Sequence, residues 1–170
     1  LARIVAQREN LTIAIADSHI DWESTGEDYT ADGFIRHMVT ELRDSLSQCF
    51  LLGTQRYFIP KSVEKLLDHN IFENLRLANI RGELIRHTEP ALRETNVFGA
   101  DVSVMRSVDV PAQKRAMHNG LMSHEFSQLA RYAGLSDKMQ IGGFFELNPQ
   151  RDASDNRGVA LMAQAVWHFI

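Results

Sequence analysis

Residues 11–21 decide the fold, and they read LTIAIADSHID. The first six of them, Leu11–Ala16, form an apolar and β-branched run without polar alternation, which is typical of a central parallel strand buried on both faces. An acidic segment begins directly after this run, at Asp17. A buried strand followed by polar side chains is the pattern of an open α/β sheet, in which ligands bind beyond the carboxyl ends of the strands.

The rest of the chain alternates short apolar runs with amphipathic stretches. This rhythm predicts a three-layer α-β-α fold, in which helices cover both faces of a mostly parallel sheet. Further strands are predicted at Cys49–Leu52, Leu75–Ala78, Val97–Ala100 and Met139–Leu147. Helices are predicted at residues 34–45, 61–69, 82–95 with an interruption near Pro90, 123–132 and 158–170.

The composition is that of an ordinary globular protein, with 44% hydrophobic and 24% charged residues among 170. One domain over residues 1–170 is therefore expected. The net charge of -4 gives no reason to expect nucleic acid or an anionic membrane as partner. The apolar runs are too short to span a bilayer, and no secretory signal pattern opens the sequence. The single Cys49 lies in an apolar run, so we expect a packed thiol and a cytoplasmic location.

Acidic residues stand at the ends of three predicted strands. Asp17 follows the first strand, Asp101 follows the strand at residues 97–100, and Glu146 lies near the end of the last strand. The carboxyl ends of parallel strands meet at one edge of a sheet, so these residues are expected to share a site.

Asp17, His19 and Asp21 occupy alternate positions along the chain. In extended backbone alternate side chains point the same way, so these three can converge on one point, and Asp101 can join them. Carboxylates and an imidazole suit a divalent ion such as manganese. Carboxylates held close together repel unless a cation neutralises them or a pKa rises. The residues alone leave an alternative open, in which Asp17 caps a turn and the other two are solvated in a loop.

Several segments together resemble the ureohydrolase superfamily of arginases, agmatinases and formimidoylglutamases. Residues 11–21 resemble its strand followed by Asp-Ala-His-x-Asp, with Ser18 in the alanine position. Residues 97–103, VFGADVS, resemble its Ser-Phe-Asp-x-Asp motif, and residues 145–149, FELNP, resemble its Glu-Val-Asn-Pro segment. Residues 129–137, LARYAGLSD, are similar to formimidoylglutamase-like members in particular. The order and spacing of these segments agree with the family over most of the chain.

The resemblance implies an arginase-like fold and a binuclear manganese site. In that chemistry two metals activate a shared hydroxide, which attacks the guanidinium or formimidoyl carbon of a small-molecule substrate. Carried over by position, Asp17 and Asp101 would bridge the metals, Asp21 would complete one metal site, and His19 would complete the other. Glu146 would correspond to the carboxylate that orients the cationic group of the substrate.

The sequence departs from the family pattern at two places. The upstream Gly-Gly-x-His segment is absent, which leads to the expectation that these residues are the C-terminal half of a longer domain. Ser103 stands where the second aspartate of Asp-x-Asp is expected, and a neutral hydroxyl weakens the second metal site. Residues 101–111 are similar to a divergent branch of the family, and Arg106 is hypothesised to neutralise the carboxylates in place of a metal. The alternative is that Arg106 is a solvated loop residue.

Two functions from different classes remain open on the sequence. One is a manganese-dependent hydrolase of linear amidine or guanidine C–N bonds, with His118 as a further candidate for a substrate contact. The other is a protein of the same fold that binds or assembles without catalysis. If part of the domain is missing, the sheet is cut at one edge and exposes unpaired backbone, which favours association. Trp167 lies on an apolar helix face, and both features lead us to expect a homo-oligomer. A receiver domain is disfavoured because residues 146–149 stand where its lysine is needed.

Overall fold

A five-stranded sheet forms the centre of the structure, a computed structural model that describes residues 10–22 and 30–170. Its strands are β1 (Leu11–Ala16), β2 (Leu46–Leu52), β3 (Phe72–Leu75), β4 (Val97–Asp101) and β5 (Ile141–Phe145). The strand order is β3-β2-β1-β4-β5, and every pairing is parallel. Leu11–Ala16 therefore forms the central strand, as predicted.

Helices connect the strands and cover both faces of the sheet. The α-helices of the described residues are α1 (Phe34–Glu41), α2 (Lys61–Glu64), α3 (Leu77–Ile80), α4 (Glu89–Arg93), α5 (Ser123–Gly134) and α6 (Arg157–Phe169). Short 3-10 segments lie at Ala31–Gly33, Arg56–Phe58, Gly82–Thr88, Val102–Val104 and Pro149–Arg151. In this part of the chain, no helix is long and apolar enough to cross a membrane.

Alternate residues of β1 build two separate cores. Ile13 faces the core that α1 and α2 supply with Ile35 and Val63. Ala14 faces the opposite core, which includes Leu129 of α5 and also receives residues of α3, α4 and α6. The two cores confirm the three-layer α-β-α prediction, because a strand between two helix layers must be apolar on both faces.

The strand predicted at residues 75–78 is wrong. β3 ends at Leu75, and the next residues form α3 instead. The chain turns away from the sheet after Arg76, and the Leu77 N–H donates to the carbonyl of Thr54 at 3.0 Å. Leu77 and Ile80 are both buried at a spacing of three residues, which is the helical signal that the sequence carried.

Several helix boundaries also differ from the predictions. Helix α1 ends at Glu41 because β2 begins at Leu46, three residues before the predicted start of that strand. Helix α2 ends at Glu64, and the residues that follow it form turns. The helix predicted at residues 82–95 is a 3-10 segment followed by α4, and Pro90 lies in the first turn of α4, where its missing N–H costs nothing.

Helix α6 packs closely on β5 because glycines leave room for Phe169. A Cβ atom on Gly142 would lie 2.2 Å from the Phe169 ring, and one on Gly134 would lie 1.8 Å from the Phe169 carbonyl oxygen. Phe169 therefore fills the space that the missing side chains of these two glycines leave. Trp167 on the same helix is 69% exposed, so it is no part of the core.

Candidate functional site

A cleft of about 450 Å³ lies at the carboxyl ends of β1, β4 and β5. Asp17, Asp101 and Glu146 all line it, as their positions at the strand ends predict. Its other polar and aromatic lining residues include His19, Asp21, Phe58, Ser103, Lys114 and Arg115. Glu146 follows β5 directly with a left-handed backbone (φ 61°), and its side chain is exposed.

Asp17 is held by backbone and side-chain donors at the end of β1. Its own N–H continues the sheet ladder to the carbonyl of Leu52 at 2.9 Å. Its Oδ1 accepts from the His19 N–H at 2.9 Å and from the Ser103 hydroxyl at 2.7 Å, and the residue is 4% exposed. Asp17 therefore caps a turn and lines the cleft at once, so the two interpretations of this residue are compatible.

Asp101 repeats this arrangement at the end of β4. Its Oδ1 accepts from the Ser103 N–H at 2.7 Å, which fixes the 3-10 turn at Val102–Val104. Since Ser103 also donates its hydroxyl to Asp17, one serine connects the ends of β4 and β1.

The carboxylates of the cleft disfavour one another's ionised form. Burial raises the pKa of Asp21 to about 8, and the charge of Asp17 and a hydrogen bond between the two carboxyls add to the rise. Burial and the charge of Asp17 likewise raise the pKa of Asp101 to about 6, against the hydrogen bonds from Ser103. Both shifts have the sign expected where carboxylates meet without a cation between them.

His19 is fixed on two sides. Its ring stacks on Phe58, with 4.3 Å between the centroids and 22° between the planes. Its Nδ1 lies 2.7 Å from the Ser18 hydroxyl and 3.8 Å from Oδ1 of Asp17. The Ser18 hydroxyl in turn donates to the Ser103 hydroxyl at 3.1 Å.

The donor types at this edge suit a divalent cation, since they are three carboxylates and an imidazole. The raised pKa values of Asp21 and Asp101 point the same way, because a cation removes the repulsion that causes part of the rise. Within residues 10–22 and 30–170, however, no three His, Cys, Asp or Glu side chains are arranged to hold an ion. Ser103 contributes a hydroxyl that already donates to Asp17. The donor types of the cleft therefore suit a cation, although the described side chains are not arranged around one point as ligands of an ion.

Arg106 does not neutralise the cleft in place of a metal. Its Nε donates to Oδ2 of Asp109 at 2.8 Å, and Oδ1 of Asp109 accepts from the Ser123 hydroxyl at 3.0 Å. The guanidinium therefore ties the loop to the start of α5. His118 is exposed and does not line the cleft.

The residues of the cleft wall that the sequence did not predict include Phe58, Lys114 and Arg115. Gln113 fixes the loop that carries the basic side chains of Lys114 and Arg115. Its side-chain amide donates to the carbonyls of Val102 and Met105 at 2.9 Å. Lys114 and Arg115 are adjacent basic residues in the loop between Pro111 and Gly120, and this pair could have indicated their place in the site. Nothing in the sequence indicates that Phe58 stacks on His19.

Comparison with solved structures identifies the fold. Formimidoylglutamase from Bacillus subtilis subsp. subtilis str. 168 superposes with a TM-score of 0.81 at 16% identity, over 97% of this chain and 54% of that chain. Proclavaminate amidino hydrolase from Streptomyces clavuligerus superposes at 0.80 and 21% identity, over 98% and 59%. Trypanosoma cruzi formiminoglutamase with Mn2+ superposes at 0.79 and 20% identity, over 94% and 55%.

These likenesses are structural. No family model matches the sequence, and no curated protein matches it. The chain spans a little over half the length of the solved structures named above. At these identities the comparison shows the fold alone, and this chain has the α/β fold of the formimidoylglutamase and amidino hydrolase structures named above, as the sequence motifs predict.

Proposed function

We propose that this chain supplies the carboxylate side of a manganese-dependent hydrolase site for linear amidine or guanidine C–N bonds. The observation that carries the proposal is the meeting of Asp17, Asp21 and Asp101 at one sheet edge, with the pKa values of the last two raised by burial and mutual repulsion. Such a cluster is stabilised by a cation. The fold that the chain shares with formimidoylglutamase supports the choice of reaction.

The proposed roles follow the positions of the side chains. Asp17 and Asp101 would bind the cation from β1 and β4, with Asp21 and His19 beside them. When bound, manganese lowers the pKa of its water and so supplies a hydroxide at neutral pH. Glu146, exposed at the cleft mouth, would hold the cationic group of the substrate.

The proposed substrate is a small cationic guanidino or formimidoyl compound. The acidic floor of the cleft attracts a cation, and its volume of about 450 Å³ suits a small molecule. We also propose that the protein works in the cytoplasm as a homo-oligomer. The free, buried thiol of Cys49 suits a reducing compartment, and Trp167 and Val166 offer exposed apolar surface on α6.

The proposal is tested by measuring manganese binding and product release on the full chain. Isothermal titration should give about one ion per wild-type chain, and Asp101→Asn should weaken binding at least about tenfold. Ser103→Asp restores a carboxylate and should bind more tightly or take a second ion. Ser103→Asn is its matched neutral control and should do neither. Urea or formamide release with arginine, agmatine and formimidoylglutamate then identifies the reaction.

A second function is supported by the bond from Ser103 to Asp17. A protein that binds a cationic ligand directly on its carboxylates needs no metal. The Ser103 hydroxyl already donates to Oδ1 of Asp17, and this bond favours ligand binding without a metal. Ligand binding unaffected by a chelator, without manganese uptake or product release, would establish this second function. Manganese-dependent release of urea or formamide would exclude it.

A further inference from the structure

Two basic side chains on the wall of the acidic cleft have no carboxylate partner. Lys114 and Arg115 are adjacent, both line the cleft, and both are exposed. Among residues 10–22 and 30–170, no aspartate or glutamate forms an ion pair with either of them. The cleft therefore contains two regions of opposite charge, the carboxylates at the strand ends and this basic pair, which do not neutralise each other by direct contact.

The backbone that carries the basic pair is held on both sides. Gln113 ties it to the residues that follow β4 through the two bonds described above. The Asn148 N–H, just beyond β5, donates to the carbonyl of Ala112 at 2.8 Å, and the Arg151 guanidinium donates to the carbonyl of Lys114. A ligand that binds the basic pair therefore has to order only two side chains and not a loop, which keeps the entropy cost of binding small.

A ligand that fills this cleft contacts positive charge at one end and negative charge at the other. We propose that Lys114 and Arg115 bind a negatively charged group, such as a carboxylate, at the end of the ligand opposite its guanidino or formimidoyl group. The inference rests on the proposed function at one point, the placement of the cationic group on the carboxylates. It narrows the substrate class to guanidino or formimidoyl acids and disfavours compounds that end in an amine.

The two side chains suit an anion in different ways. The Arg115 guanidinium can donate two parallel N–H bonds to one carboxylate, whereas the Lys114 ammonium acts as a point charge beside it. An ammonium group at the same place would be repelled by both. Exposed ion pairs change an affinity only a few-fold each, so two attractions that replace two repulsions should favour the acid by about tenfold.

The test compares guanidinobutyrate with agmatine, which carry the same guanidinium on alkyl chains of similar length. One ends in a carboxylate and the other in an ammonium group. Isothermal titration of the full chain at neutral pH, with a chelator present to exclude turnover, should give a dissociation constant about tenfold lower for guanidinobutyrate. The double variant Lys114→Gln with Arg115→Gln keeps the carboxylates of the cleft but loses both cations, so the order should reverse and agmatine should bind more tightly.

A matched control removes the same charge elsewhere. Arg43 and Lys65 are exposed and lie outside the cleft, so Arg43→Gln with Lys65→Gln should keep the wild-type order. The inference is overturned if the wild type binds agmatine at least as tightly, if it binds neither compound, or if the double variant at positions 114 and 115 keeps the wild-type ratio.

A repeat with manganese separates this inference from the proposed hydrolysis. The wild-type order of affinities without any release of urea supports the role of the basic pair and contradicts only the hydrolysis. Release of urea from both compounds, with equal affinities in the chelator, contradicts only the role of the basic pair.

Discussion

Replacing Asp101 by asparagine is expected to stabilise the metal-free chain at neutral pH and to lose this effect in acid. Burial and the charge of Asp17 raise the pKa of Asp101 from 3.8 to about 6. The folded state therefore holds a proton that the unfolded state has released between these values, and the ionised carboxylate opposes folding above them. Each pKa unit corresponds to about 1.4 kcal/mol, so the ionised Asp101 lowers the free energy of unfolding by ~3 kcal/mol above the raised pKa.

Asparagine at position 101 gives back part of this stabilisation, because it lacks the negative charge that strengthens a hydrogen bond. Asparagine keeps an oxygen for the Ser103 N–H, which Asp101 accepts at 2.7 Å, but the bond is no longer charge-assisted. Such a change costs about 1 kcal/mol, which leaves a net stabilisation of ~2 kcal/mol above the raised pKa. The assay is urea unfolding with a chelator present, at a pH near the unfolded pKa and again about two units above the folded one.

The comparison needs a carboxylate with the opposite shift. Burial alone would raise the pKa of Asp152, but the N–H groups of Val159, Gly158 and Ala153 outweigh it and hold the pKa below its ordinary value. Asp152→Asn should therefore destabilise the chain more at neutral than at acid pH. If Asp101→Asn changes the free energy of unfolding equally at both pH values, or destabilises more at the higher one, the raised pKa of Asp101 in the folded chain is refuted.

Two further predictions concern other parts of the molecule. Burial raises the pKa of the Cys49 thiol to about 12, so the native chain should resist alkylation at neutral pH and react only when unfolded in urea; rapid labelling of the native chain would contradict its packing. Gly142→Ala places a methyl group 2.2 Å from the Phe169 ring and should lower the free energy of unfolding by ~1–3 kcal/mol, measured by urea denaturation. Gly99→Ala is its control, because this glycine also lies in a strand and the added carbon would lie 3.5 Å from the Phe145 ring, an ordinary contact. An equal loss at both glycines would show that the contact with Phe169 is unimportant.

The sequence by itself determined the central strand, the parallel sheet and the acidic edge. Leu11–Ala16 is apolar on both faces, and this is a local property that any parallel sheet must satisfy. Asp17 and Asp101 follow strands, so their meeting required only that those strands be neighbours, which β1 and β4 are. The expectation of a single domain over residues 1–170 stays a prediction.

The local sequence pattern gave wrong predictions at two places, because contacts made elsewhere in the fold decide the structure there. The four residues from Leu75 read as a strand, but the chain leaves the sheet when Leu77 bonds to Thr54. Arg106 was matched to the acidic cluster by analogy, whereas Asp109, three residues away, captures its guanidinium. A short ion pair within one turn costs little chain entropy, so it prevails over a longer reach.

Only the tertiary structure decided which hydrogen bonds the side chains at the acidic edge make. Ser18 and Ser103 are 85 residues apart, and nothing in either neighbourhood indicates that their hydroxyls meet at 3.1 Å. The resemblance to the ureohydrolases implied a carboxylate at the position of Ser103, and the structure shows that the Ser103 hydroxyl donates to Asp17. The physical reason is that composition and spacing determine which side chains reach an edge, whereas their hydrogen-bond partners depend on distances set by the pairing of β1 with β4.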